Sequence, residues 1–213
     1  MTLFKNVKES LCLYAITDRT WLCGRSLESQ VEEALKGGAT FLQLREKNLA
    51  DDDILEEAKL LHCLCKKYKV PFVINDNVNI ALKSNADGVH IGQSDTTCIE
   101  ARKMLGNEKI IGVSVQTLEQ ALSAEKDGAD YLGVGAIFPT QTKDAEMVSI
   151  ETLHTICNAV KIPVIAIGGI NEKTAPLLKG TGIVGISVIS AIFAAQNIES
   201  ATRTLKDIAM KLQ

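Results

Sequence analysis

ALKGGATFLQL (residues 34–44), ALKSNADGVHI (81–91), AEKDGADYLGV (124–134) and LLKGTGIVGIS (177–187) are four versions of one pattern. In each, alanine or leucine carries a last helical turn. The lysines, Lys36, Lys83, Lys126 and Lys179, complement the negative end of the helix dipole, and glycine or asparagine takes a left-handed cap. A short apolar run follows as a strand. Successive lysines lie 47, 43 and 53 residues apart, too far for one strand and one helix but right for two βα units. A second set of strand-like runs falls between them: LCLYAIT (11–17), KVPFVIN (69–75), KIIGVS (109–114) and KIPVIAI (161–167). Eight strands alternating with helices predict an α/β fold, a single TIM (β/α)8 barrel spanning residues 1–213.

The 213 residues lie near the small end of the ~200 to 400 that such barrels occupy. A hydrophobic content of 46% supports one large core, while 23% charged residues and a net charge of −3 describe an ordinary surface with no bias toward nucleic acid. No apolar stretch reaches the length of a membrane span, and MTLFKNVKES lacks the apolar centre of a secretory signal. The expected compartment is cytoplasmic. No linker or low-complexity segment divides the chain.

Six scattered cysteines in a chain able to bury its own core argue against structural disulfides. His62, Cys63 and Cys65 fall within a helix, where neighbours two apart point in different directions, so a zinc site is not expected. Leu27, Val31, Ala34 and Leu35 form one apolar helix face; from Asp51 to Tyr68, Leu55, Ala58, Leu61 and Cys65 form another. Further helices are predicted to start near Asn77, Thr96, Thr117, Ser149 and Lys173, with a final one over 198–212.

Barrel chemistry sits where strands run into the following loops. Those tips are polar here: Gln43, Arg45, Glu46 and Lys47 after the second strand; Asn75, Asp76 and Asn77 after the third; Gln93 and Asp95 after the fourth; Ser114 and Gln116 after the fifth. The sixth leads to Thr140, Thr142 and Lys143, the seventh to Gly168 and Gly169, the eighth to Ile189 and Ser190. This set suits phosphorylated ligands with magnesium. Arg45 can fork onto phosphate oxygens, Lys47 and Lys143 supply point charges, and Asp76 and Asp95 offer hard oxygen ligands for Mg²⁺. The glycine pair and a short helix from Ile189 form a second place for phosphate, on backbone N–H groups. Each feature also has a plainer reading: Arg45 and Glu46 as a surface ion pair, Asp76 or Asp95 as a helix cap, the threonines as turn residues, the glycines as a tight turn.

The ordered set YAITDR, GGATFLQLREK, VPFVINDN, ADGVHIGQSD, GVSVQT, GADYLGVGAIFPTQTK, IPVIAIGGI and ISVISAI resembles the thiamine phosphate synthase family from Tyr14 almost to the C-terminus. The resemblance implies Mg²⁺-dependent joining of 4-amino-2-methyl-5-(diphosphomethyl)pyrimidine to a thiazole phosphate or its carboxylate form. The products are thiamine phosphate and pyrophosphate. It implies that Gln43 meets the pyrimidine and that Arg45, Lys47, Asn75, Ser114 and Lys143 surround its diphosphate, with Arg45, Lys47, Ser114 and Lys143 as the catalytic set. Leu44 and Glu46 are counted among the substrate contacts as part of the same QLREK tip. Asp76 and Asp95 would hold Mg²⁺, and Thr140, Gln141, Thr142, Gly169, Ile189 and Ser190 would meet the thiazole phosphate. The chemistry is dissociative alkyl transfer with no protein nucleophile, and residues 140–147 are the candidate lid.

Two departures from the family pattern stand out. The run after Lys143, TKDAEMVSIE, is short, and Gln116 occupies a place where a histidine often follows the GVS tip. In the related thiazole tautomerases that histidine is the acid/base; glutamine exchanges no proton at neutral pH. A tautomerase-like isomerase and a non-catalytic barrel binding phosphorylated ligands remain the alternatives. The expected partners are these small molecules, with neither nucleic acid nor membrane, and the sequence leaves a homo-oligomer open.

Overall fold

The structure is a computed structural model that describes residues 7–140 and 146–212. Among them eight parallel strands close into a barrel in chain order: β1 (Leu13–Ile16), β2 (Phe41–Leu44), β3 (Phe72–Asn75), β4 (Gly88–Ile91), β5 (Ile110–Val115), β6 (Tyr131–Val134), β7 (Val164–Ile167) and β8 (Gly185–Val188). β8 returns to β1 with Tyr14 opposite Ser187, so no edge is left open. The sequence-based expectation of a TIM barrel is correct.

The helices are α1 (Val7–Ser10), α2 (Leu27–Gly37), α3 (Asp51–Tyr68), α4 (Val78–Lys83), α5 (Cys98–Leu105), α6 (Leu118–Lys126), α7 (Ile150–Ala159), α8 (Ser190–Phe193) and α9 (Ile198–Ala209). Three of the four echoes end alike. Ala39, Ala86 and Ala129 donate their N–H to Ala34, Ala81 and Ala124 at 3.1, 3.0 and 3.0 Å, across left-handed Gly38, Asn85 and Gly128. The fourth follows a short 3-10 turn, Ala175–Leu178, in place of the helix expected near Lys173.

Asn77, Thr117 and Ser149 cap α4, α6 and α7 as expected; Thr97, one residue beyond Thr96, caps α5 in a capping box with Glu100. α3 starts at Asp51 without a side-chain cap, its three acidic residues facing the positive helix end.

Side chains alternate across each strand, dividing the core in two. Leu42, Leu44, Phe72, Ile74, Val89 and Ile91 belong to the cluster under the helices. Tyr14, Phe41, Val73, Ile110, Tyr131 and Ile165 form a separate cluster in the barrel, with Val7 of α1 packed against it. The Tyr14 and Phe41 ring centroids are 4.5 Å apart, and those of Phe41 and Tyr131 5.6 Å. All six cysteines are free. His62 turns to Asp87, 3.8 Å away, and stacks on Phe72, while Cys63 is exposed and Cys65 buried. Among the described residues no helix is long and apolar enough to cross a membrane.

Candidate active site

A cavity of about 540 Å³ opens at the C-terminal ends of the strands, a size suited to a small-molecule site. The alternation that builds β2 continues past its end. Gln43, Arg45 and Lys47 line the cavity, whereas Leu44 is buried beneath the helices and Glu46 turns toward Arg19. The side chains of Leu44 and Glu46 thus point away from the cavity, since a one-residue step along extended chain reverses the side chain.

The loop after β1 holds Arg45 in place. Its N–H donates to the Thr17 hydroxyl at 3.0 Å, and its guanidinium lies 3.5 Å from Asp18. Arg19, the next residue, bonds Glu46 at 2.8 Å and Glu57 at 2.6 Å. Arg45 and Glu46 thus have separate partners and do not form the surface pair of the plainer reading. Burial, only partly offset by Arg19 and reinforced by Glu57, pushes the Glu46 carboxyl from its usual 4.5 up to about 7. The folded chain therefore holds this proton more tightly than the unfolded chain. The group's contribution to stability is full below about 4.5 and is lost as pH rises through about 7. Thermal melts between pH 5 and 8 should fall less steeply for Glu46→Gln than for the parent, and parallel curves would refute this.

Asp76 and Asp95 both line the cavity, and neither caps a helix. Asp76 sits at φ 61°, a left-handed conformation that aspartate tolerates, and its N–H donates to the His90 carbonyl at 2.8 Å. Asn75 donates to its carboxylate at 2.5 Å. Asp95 folds back to accept the Gly92 N–H at 2.7 Å. No three His, Cys, Asp or Glu side chains cluster as a metal cage among the described residues. Two carboxylates with room beside them instead fit Mg²⁺, whose remaining positions are commonly filled by water and substrate phosphate.

On the opposite wall, Gly168 and Gly169 both take left-handed φ, 95° and 64°. A side chain on Gly169 would meet the Pro139 carbonyl oxygen at 2.6 Å, because the segment after β6 crosses over this turn. Phe138 donates its N–H to Gly168 there, at 3.1 Å. Gly169, Ile189, Ser190 and Thr140 line this sector, with Ser190 opening α8. Gln141, Thr142 and Lys143 lie outside the described residues, as does most of the candidate lid. Gln116 lines the cavity and donates to the Glu146 carbonyl at 3.2 Å.

Sequence reasoning missed the floor. His90 and Ser187 line the cavity, and the Ser187 hydroxyl is buried without a hydrogen-bond partner among the described residues. Ser114, which was anticipated, is 2.9 Å from His90 Nε2, and His90 Nδ1 is 2.9 Å from the Tyr131 hydroxyl. Strand parity could have found both missed residues, since His90 pairs with Asn75 across β3–β4 and Ser187 with Ile167 across β7–β8.

Comparison with known proteins agrees with this geometry. The family model described as thiamine monophosphate synthase matches residues 13–192. The thiamine-phosphate synthase of Clostridium acetobutylicum is 54% identical over 200 residues, covering 93% of this chain and 95% of that protein. That of Clostridium tetani is 53% identical over 194 residues, covering 91% and 93%. A solved structure of thiamine phosphate pyrophosphorylase from Pyrococcus furiosus superposes with a TM-score of 0.91 at 43% identity, covering 97% of this chain and 99% of that one. A 3-hexulose-6-phosphate synthase structure, at 19% identity and a TM-score of 0.67, shares the fold. With the family model spanning most of the chain and relatives above half identity, this chain belongs to the thiamine monophosphate synthase family.

Proposed function

We propose that this protein joins 4-amino-2-methyl-5-(diphosphomethyl)pyrimidine to 4-methyl-5-(2-phosphoethyl)thiazole, giving thiamine phosphate and pyrophosphate, or to its carboxylate form with CO₂ released as well. The observation that carries this reading is that one barrel mouth gathers two groups of residues suited to phosphate. Arg45, Lys47, Asn75, Asp76, Asp95 and Ser114 stand on one side, with Gly169, Ile189 and Ser190 on the other.

The carbon–oxygen bond to the diphosphate breaks as negative charge grows on the leaving group and positive charge on the pyrimidine methylene. The thiazole nitrogen then captures that carbon, so no protein nucleophile is needed. Arg45 and Lys47 stabilise the departing anion, Asn75 and Ser114 orient it, and Lys143 is assigned the same task as Arg45. Asp76 and Asp95 would hold Mg²⁺, which supplies further charge neutralisation on the diphosphate oxygens. The backbone at Gly169 and Ser190, with Thr140 and the two residues after it, holds the thiazole phosphate so that the two substrates lie side by side. Enclosure of the cavity protects the cation from water.

The test is formation of thiamine phosphate by metal-stripped protein given both substrates. Mg²⁺ should restore product, and Asp76→Asn should need about tenfold more Mg²⁺ for half-maximal rate, the loss of one charged ligand. An unchanged metal titration would remove Asp76 from the metal site.

A further inference from the structure

A continuous row of hydrogen bonds runs through the barrel beneath the cavity. Gln43 Nε2 donates to the Tyr14 hydroxyl at 2.6 Å, and the Tyr14 and Tyr131 hydroxyls are 2.9 Å apart. Tyr131 reaches His90 Nδ1 at 2.9 Å, and His90 Nε2 reaches the Ser114 hydroxyl at 2.9 Å. Both ends, Gln43 and Ser114, line the cavity, while the two tyrosines between them are fully buried. We propose that this row sets the hydrogen-bonding polarity of Gln43 and Ser114 together, making Tyr14, Tyr131 and His90 positioning residues that select an amino-pyrimidine diphosphate over its oxo counterpart. The proposal rests on the substrate reading given above and adds the residues that enforce it.

Proton counting carries the argument. With one proton on each phenol and one on the imidazole, the row runs in a single sense. With Gln43 donating to Tyr14, the Tyr14 proton goes to Tyr131 and the Tyr131 proton to His90 Nδ1. The imidazole proton is then on Nε2 and is given to Ser114. The Ser114 proton is left for the cavity, and Gln43 presents its amide oxygen there. In the reverse sense Ser114 donates to His90, and the Gln43 amide must turn over to accept from Tyr14. Gln43 then shows the cavity its NH₂ group and Ser114 shows a lone pair. The two ends can only change together. Burial raises both phenol pKa values, so neither tyrosine ionises to break the count.

An amino-pyrimidine diphosphate presents a donor, its exocyclic amine, and an acceptor, a phosphate oxygen. The first sense satisfies both, since the Gln43 oxygen accepts from the amine and the Ser114 hydroxyl donates to the phosphate. A pyrimidine with an oxo group in place of the amine presents two acceptors. Neither sense satisfies both, and one buried polar group is left unpaired.

The experiment compares the amino-pyrimidine diphosphate with its oxo analogue, by kcat/KM in the full reaction and by calorimetric binding, for the parent, Tyr14→Phe and Tyr131→Phe. Tyr14→Phe uncouples Gln43 from the rest of the row, and Tyr131→Phe cuts it at the middle. The parent should prefer the amino compound by about 100-fold or more, and each variant should lose at least about tenfold of that preference. The KM for the thiazole phosphate should stay within about twofold, because no hydrogen bond of the row ends on Gly169, Ile189 or Ser190. A ratio unchanged in both variants, with binding of the two compounds weakened equally, overturns the proposal and reduces the tyrosines to packing. Equal binding of both compounds by the parent overturns it as well. If the parent binds with the stated preference and the variants lose it, the row stands even when no thiamine phosphate forms; that last result would fall on the synthase reading alone.

Discussion

Arg45→Ala is expected to lower kcat/KM for thiamine phosphate formation by about 10² to 10³, the usual cost of removing one pre-aimed donor from a developing anion. The guanidinium is not a loose surface charge. Its backbone N–H is held by Thr17, buried in the barrel wall, and its side chain is steadied by Asp18 at 3.5 Å. An arginine fixed on both sides loses little freedom when it meets diphosphate, so its charge is available as the carbon–oxygen bond opens. Arg45→Lys should recover only part of the loss, because a point charge lacks the fork that matches two phosphate oxygens. The melting temperature of Arg45→Ala should stay within about 4 °C of the parent, since the Asp18 contact is a long one at 3.5 Å and the backbone bond to Thr17 survives the change. An activity within about threefold of the parent would remove Arg45 from the leaving-group site.

Gly112→Ala is expected to cost about 3 to 6 kcal/mol, a large share of the stability of an ordinary domain. A methyl group built on Gly112 would lie 2.0 Å from Cζ of Tyr131 and 2.3 Å from its hydroxyl. Tyr131 has no room to retreat: it is fully buried, with Phe41 at 5.6 Å and His90 at 5.5 Å between ring centroids. Moving the ring breaks its hydrogen bonds to Tyr14 and His90 and leaves buried groups unpaired. Thermal denaturation should show a fall of about 10 °C or more. Adding Tyr131→Leu to Gly112→Ala should return part of the loss, because the shorter side chain vacates the space. A single variant melting within about 2 °C of the parent would contradict the packing described here.

The barrel was legible because a helix end, a turn and a strand make a compound signal, and three echoes keep the same closing hydrogen bond to the alanine five residues back. The fourth looks alike in sequence but follows a 3-10 turn, Ala175–Leu178. Of the site, the loop-borne charges were readable: Arg45, Lys47, Asn75, Asp76, Asp95 and Ser114 reach one cavity. Strand parity sends the side chains of Leu44 and Glu46 the other way. The floor of the site was illegible for the opposite reason. Tyr14, His90 and Tyr131 sit within apolar strands and read as core, and only the closed register brings residues 14 and 131 within hydrogen-bonding distance. Motif reading follows chain order, whereas this row follows the circumference of the barrel.

The most direct test of the central claim is a stoichiometric assay. Purified protein is given the pyrimidine diphosphate, the thiazole phosphate and Mg²⁺, and thiamine phosphate and pyrophosphate are quantified in the same sample, beside a control without the thiazole. The account predicts the two products in equal amounts, and no thiamine phosphate in the control. Folded protein that binds both substrates yet forms no thiamine phosphate would contradict it.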